Sequence, residues 1–211
     1  MHIKGLISDY ESKKKQIKKR LKEFRMLQRA EDEDIFAELC FCILTPQSKA
    51  VYCDKAIREL KHTRFLFDGC VDAVKTKLKG VRFPNNKANY LVEAREFLRD
   101  GRKINIIARI DKNDIFKTRD WLAKNIKGIG YKEASHFLRN IGLGKNLAIL
   151  DTHILKNLKR FRVIKDIPVS MSKKAYLDIE EKMRNFSSSV KISLDELDLL
   201  FWSNQTGFIF K

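Results

Sequence analysis

Two side chains in this sequence have the type and setting for covalent chemistry: Lys132 and Asp151, nineteen positions apart. Lys132 follows Lys127-Gly128-Ile129-Gly130-Tyr131, where two closely spaced glycines join two helical segments. Glycine accepts positive φ and lets a backbone approach a ligand closely. The N–H groups opening the second helix then form an anion site. With Lys127 at the turn, the hairpin suits a phosphate held without any base contact. An unprotonated lysine amine is a nucleophile that can end in a Schiff base. A carboxylate stabilises positive charge developing beside it. Each feature also has a plainer reading. Gly-x-Gly makes tight turns, Lys132 would be a solvated helix lysine, and Asp151 would be the N-cap of a helix over 152–160.

The elements that must hold these groups read as helices. Apolar residues recur at helical spacing, and only three Pro and nine Gly interrupt them. Ile7, Tyr10, Ile17, Leu21 and Phe24 line one face of a long, Lys-rich first helix. The acidic run Glu31–Asp34 suits a helix N-terminus. Residues 35–44 are apolar almost all round and predict a buried central helix, stopped at Thr45-Pro46 because the residue before Pro avoids the α conformation. Amphipathic helices follow near 48–61, 71–79, 85–99 and 114–126, with Gly80 and Gly101 as C-caps. Further helices fall near 131–141, 152–160, 172–186 and 194–204, the last opened by a capping box at Ser193–Glu196. No repeat or low-complexity linker is visible.

Charge narrows the partner. Lys and Arg number 44 against 27 Asp and Glu, a net charge of +17. So basic a surface attracts polyanions, because phosphate contacts release condensed counterions; nucleic acid is the expected partner. A lysine-rich composition set by an AT-rich genome or a hot habitat would give the same balance. The chain opens on charged residues with no signal-peptide pattern, and no apolar run approaches the roughly 18 residues of a membrane span. A cytoplasmic, nucleoid-associated protein with no membrane partner is expected. Cys40, Cys42, Cys53 and Cys70 lack zinc-site spacing. The first two are expected as buried thiols, while a disulfide at Cys53 or Cys70 stays open.

The Gly-Ile-Gly-Tyr-Lys hairpin, the Gly142-Leu143-Gly144 loop and Leu150-Asp151-Thr152-His153-Ile154 together resemble the signature of the helix–hairpin–helix–Gly/Pro–Asp superfamily of base-excision DNA glycosylases. No cysteine follows Cys70, so the iron–sulfur cluster of endonuclease III-type members is not expected. The short chain, the segment Val81–Ala88 and Lys211 at the end are similar to the short, mostly archaeal second type of 8-oxoguanine DNA glycosylase/lyase.

That resemblance implies an all-α, two-lobed fold. Residues 31–150 would form a helical barrel domain ending in the helix–hairpin–helix at about 114–141. Residues 1–30 and 151–211 would form the second lobe, with double-stranded DNA across the cleft between them. It implies a bifunctional, monomeric enzyme in which Lys132 is the nucleophile and Asp151 the carboxylate. Lys127, Gly128, Gly130 and His153 would meet the DNA backbone, with His153 equally readable as a structural hydrogen-bonder. No metal or organic cofactor is expected, apart from a monovalent cation on the hairpin carbonyls.

The chemistry agrees with these roles. Breaking an N-glycosidic bond builds oxocarbenium character at C1′, which a carboxylate stabilises. Attack by the amine leads to a Schiff base and then to β-elimination of the 3′ phosphate. The target nucleotide must leave the stack. Phe83 and Trp202 are candidates to stack on its base, though either would also serve as core. Gln47, at a helix-to-helix turn, is the candidate plug for the vacated space or an ordinary exposed turn residue. By resemblance, Lys211 helps to tell 8-oxoguanine from guanine, its terminal carboxylate being one acceptor for N7–H. The competing readings are a glycosylase/lyase for oxidised pyrimidines, a non-catalytic helix–hairpin–helix DNA-binding protein, and a basic ribosome-associated protein.

Overall fold

The computed structural model describes residues 3–211; Met1 and His2, which open the expected leader-free start, lie outside them. Among the described residues there are eleven α-helices and two two-residue strands, so the fold is all-α. The chain forms two compact units. One is Arg29–Phe137; the other comprises residues up to Gln28 together with Leu138–Lys211.

In the Arg29–Phe137 unit, α2 (Asp32–Leu44) is the centre, and every side chain from Ile35 to Leu44 is buried, the charged Glu38 included, as a run apolar almost all round predicts. Asp32, Glu33 and Asp34 occupy its first turn, where carboxylates meet the positive end of the helix dipole. α2 packs on α3 (Ala50–His62), α6 (Pro84–Leu98) and strand β2 (Lys103–Ile104). It stops at Leu44 by a different route from the expected one. Thr45 stays right-handed (φ −69°, ψ −30°), and the ladder ends because Pro46 has no N–H to continue it.

Between α3 and α6 lie two short helices, α4 (Phe65–Asp68) and α5 (Val71–Thr76). The C-cap of α5 is Lys77, so Gly80 sits in the turn beyond the helix rather than capping it. Gly101 is not a cap either. β1 (Arg99–Asp100) pairs antiparallel with β2, and Gly101-Arg102 form the two-residue turn between them. Such turns need positive φ at the first position, and Gly101 has φ +59°. α7 (Ile115–Asn125) and α8 (Tyr131–Asn140) flank the Gly-x-Gly turn.

The other unit is built around α11 (Leu194–Thr206), which packs on α1 (Ile3–Met26), α9 (Thr152–Arg160) and α10 (Lys173–Val190). α1 buries Leu6, Tyr10, Ile17, Leu21 and Phe24, whereas Ile7 is 41 % exposed. Leu6 stands four residues before Tyr10 and continues the buried stripe; Ile7 lies a further 100° round the helix. Phe161 stacks on Phe186 and Phe201 at 5.6 and 5.7 Å between ring centres. The Ser193–Glu196 capping box forms as predicted. α10 runs past residue 186 to Val190, and within the added turn the hydroxyls of Ser188 and Ser189 donate back to the carbonyls of Arg184 and Phe186, a bond that a helix tolerates. Arg139 and Asp198 form a buried ion pair at 2.9 Å. Burial pushes the Asp198 carboxyl up to about 7, against the lowering effect of Arg139, and the charges of Asp151 and Asp195 raise it further.

None of the four cysteines is in a disulfide; Cys40, Cys42 and Cys53 are buried and Cys70 is exposed. Among the described residues no helix is long and apolar enough to cross a membrane, and no group of three or more His, Cys, Asp or Glu could hold a metal ion.

Candidate active site

The hairpin carries Lys132 in the first turn of α8. Gly128 makes the turn with φ +84°, and a Cβ there would lie 2.7 Å from Cδ2 of Tyr90 on α6. Both the conformation and the close ring demand glycine. Lys127 is exposed, lies over the Tyr90 ring at 5.4 Å, and pairs with Glu93 at 3.2 Å. The backbone N–H of Gly130 donates to Oε2 of Glu133 at 3.2 Å, so this donor is engaged within the protein.

The Lys132 side chain is 29 % exposed, and its Nζ lies 2.8 Å from Oε1 of Glu133. Glu133 therefore grips the hairpin backbone with one oxygen and the lysine with the other. Nucleophilic attack requires a free amine, and Glu133 is the carboxylate that faces Nζ. Nothing in the sequence singled out Glu133. Its signal was only its place beside Lys132, three residues from Gly130, a spacing at which a first-turn carboxylate reaches back to a free N–H.

Asp151 precedes α9 as its N-cap, and its Oδ1 accepts from the Ile154 N–H at 2.8 Å. Its Oδ2 has no protein hydrogen bond among the described residues, so capping leaves one oxygen and the charge available. The buried segment before it is clamped by α10. The Tyr176 hydroxyl donates to the Ala148 carbonyl at 2.6 Å, and Oε1 of Glu180 accepts from the Ala148 N–H at 2.8 Å. The preceding loop needs its glycine at 142: φ is +78°, and a Cβ would meet the Arg25 backbone at 2.7 Å. His153 is half-buried; its Nδ1 is buried and unpartnered, while its carbonyl accepts from Asn157 at 2.9 Å.

The remaining candidates divide between the units. Gln47 is exposed with φ +56°, in the turn between α2 and α3. Phe83 is 50 % exposed, has φ +57°, and caps α6; Arg82 lies over its ring at 5.5 Å. Both share the Arg29–Phe137 unit with Lys127, Gly128, Gly130 and Lys132. Trp202 on α11 is half-buried, with Phe208 edge-on at 6.2 Å and Phe210 against Phe208 at 5.9 Å. Lys211 is half-buried at the end of this aromatic run. Trp202 and Lys211 share a unit with Asp151 and His153.

Comparison with known proteins gives this arrangement its class. The family model described as 8-oxoguanine DNA glycosylase matches residues 17–192. A Fusobacterium nucleatum protein named 8-oxoguanine DNA glycosylase/AP lyase is 47% identical, over 96% of this chain and 94% of its own length. The crystal structure of the Methanocaldococcus jannaschii 8-oxoguanine DNA glycosylase superposes with a TM-score of 0.88 at 38% identity, covering 99% of this chain and 95% of that one. The M. jannaschii 8-oxoguanine glycosylase/lyase, in complex with a 15mer DNA containing 8-oxoguanine, gives 0.86 at 37% identity, covering 98% of this chain and 99% of that one. The fold is that of the helix–hairpin–helix DNA glycosylases. Within that class, the chain belongs to the 8-oxoguanine DNA glycosylase family, in its short form.

Proposed function

We propose that this protein excises 8-oxoguanine from double-stranded DNA and then nicks the strand 3′ to the abasic site, with Lys132 as the nucleophile for both steps. The observation that carries the reading is the placement of Lys132, in the first turn of α8 directly behind the Gly-x-Gly turn, with a carboxylate 2.8 Å from its Nζ. The relatives named as both glycosylase and lyase support the two activities.

Glu133 takes a proton from Lys132, and the free amine attacks C1′. The bond from C1′ to N9 of the base breaks, and the base leaves with the bonding pair and takes up the proton that Glu133 received from the amine. Asp151 stabilises the positive charge that grows on C1′ and O4′. Ring opening gives the Schiff base between Lys132 and C1′. Loss of a C2′ proton then expels the 3′ phosphate, and water releases the lysine. Nothing in this sequence of steps needs a metal or an organic cofactor.

Lys127, Gly128 and Gly130, in the helix–hairpin–helix at about 114–141, hold the phosphate backbone, and His153 stands near it. Their reading as a grip rests on the exposed position of Lys127, which pairs only at the surface with Glu93, and on the tight turn. The carbonyls of Lys127, Gly128 and Ile129 have no protein hydrogen bond among the described residues; they would hold one monovalent cation, whose charge would favour a phosphate at the hairpin. Gln47 fills the space left by the flipped nucleotide. Phe83 and Trp202 stack on its base, and Lys211 reads the oxidised purine. The protein works as a monomer in the cytoplasm.

Two variants test the parts of this reading that the nucleophile does not. Glu133→Gln keeps an acceptor for the Gly130 N–H but removes the carboxylate facing Nζ. Single-turnover base release should slow about tenfold, a cost of about 1.4 kcal/mol in the barrier, with DNA affinity unchanged in a filter-binding titration. Wild-type release rates would remove Glu133 from the mechanism. Lys211→Ala should erode the preference for 8-oxoguanine over guanine about tenfold in competing duplexes, an effect of the size expected for one lost polar contact. An equal loss on both bases would show that Lys211 does not read the lesion.

A further inference from the structure

Lys87, on the first turn of α6, is a lysine buried almost completely: its exposure is 5 %. Its ammonium reaches the Leu44 carbonyl at 2.6 Å, the Pro46 carbonyl at 2.7 Å and the Ser48 hydroxyl at 2.9 Å. An ammonium has three donors, and all three go to one turn. The acceptors at 46 and 48 bracket Gln47, whose φ of +56° is a left-handed conformation that a non-glycine residue adopts only under strain. Such residues persist only where their surroundings over-determine them.

The same node reaches the second strained residue. Oγ of Ser48 also accepts from the Arg82 N–H at 2.9 Å. Arg82 precedes Phe83, which has φ +57° and whose carbonyl accepts the Lys87 N–H at 3.1 Å. The Cys53 thiol donates to the Leu44 carbonyl at 3.2 Å from the other side.

We propose that Lys87 is a positioning residue for base extrusion: through Ser48 and the carbonyls of Leu44 and Pro46 it locks the Gln47 turn and the Phe83 turn into one rigid piece. This inference rests on the reading of Gln47 as the plug and Phe83 as the stacking ring. A plug and a stacking ring act on the two sides of one event, the departure of the nucleotide from the helix, so their relative placement matters more than either alone. An ammonium suits the task better than a neutral donor, because hydrogen bonds from a charged donor are about twice as strong. The charge is costly to bury. Burial lowers the Lys87 pKa, Cys53 opposes this, and the Lys132 and Arg82 cations lower it further.

The test compares Lys87→Met, and the milder Ser48→Ala, with wild type on two duplexes. In the first, 8-oxoguanine is paired with cytosine, and extrusion must occur. In the second, an abasic site leaves no base to flip or stack. Base release from the paired lesion should fall about thirtyfold or more in Lys87→Met and several-fold in Ser48→Ala, while strand nicking at the abasic site falls less than about threefold. Equal losses on the two duplexes would show a general folding defect and overturn the proposal, as would wild-type release from the paired lesion. If Lys87→Met does not fold, Ser48→Ala is read by the same criteria. Wild type runs alongside. Failure of wild type to act on either duplex would sink the reading of the site itself, not only the role of Lys87.

Discussion

Lys132→Gln is expected to form no covalent adduct with DNA under borohydride, and to release 8-oxoguanine more than about a thousandfold more slowly than wild type. A glutamine amide nitrogen cannot form an imine, so the adduct should vanish rather than weaken. Base release need not vanish, because stabilising groups and binding retain part of the rate when a nucleophile is removed. The substitution is nearly isosteric at a side chain only 29 % exposed, and glutamine is nearly as good a helix former as lysine. Circular dichroism and DNA affinity should therefore match wild type. Trapping of the variant at wild-type yield would exclude Lys132 as the nucleophile.

Asp151→Asn should give the second largest effect, slowing base release about a hundredfold to a thousandfold, the range found when one transition-state stabilising group is lost. The choice of asparagine separates two roles that one carboxylate combines. Asn caps a helix about as well as Asp, so the hydrogen bond to the Ile154 N–H, 2.8 Å long in the native protein, survives. Only the charge is lost. Asp151→Ala loses the cap as well and should cost about 1 kcal/mol of stability, seen as a lower Tm. Single-turnover release and thermal melts of the pair therefore resolve the question. Unchanged release in Asp151→Asn with a lower Tm in Asp151→Ala would make Asp151 a cap and nothing more.

The features legible in the sequence are those that local physics determines. The run over 35–44 is apolar almost all round, with Glu38 its one charge, and all ten of its side chains are buried. The capping box at Ser193 and the cap at Asp151 are set by side chains reaching backbone a few residues away, and both form. The Gly128 turn follows from glycine spacing, although only the structure shows the Tyr90 ring that closes over it. Where a choice hung on one residue of phase, the reading slipped: Ile7 and Leu6 are adjacent and equally apolar, and only packing against α11 decides between them. Gly101 looked like a cap because a two-residue ladder is too short to leave an alternating pattern.

The candidate site was legible to the same extent. Lys132 and Asp151 stood out through motif and spacing, Gln47 through its position at a turn, and Phe83 as an aromatic ring able to stack on a base. Their left-handed backbones gave no sign, since neither is the glycine or asparagine that normally marks one. Lys87 was hidden entirely. It is one of 44 basic residues in a chain of net charge +17, where a lysine is expected in water. Its burial arises because Leu44, Pro46 and Ser48 turn their acceptors towards it across about forty residues of sequence. Arg139 and Asp198 were missed for the same reason: a charge pair closed inside a lobe leaves no local pattern.

The nucleophile itself can be read directly. Protein is mixed with a duplex carrying 8-oxoguanine opposite cytosine, reduced with borohydride, digested, and the cross-linked peptide sequenced by mass spectrometry. The modified residue should be Lys132, in the peptide that contains Gly128-Ile129-Gly130-Tyr131 when cleavage at Lys132 is blocked. An adduct on any other lysine, or no adduct while base release proceeds, would contradict the Schiff-base mechanism proposed for this chain.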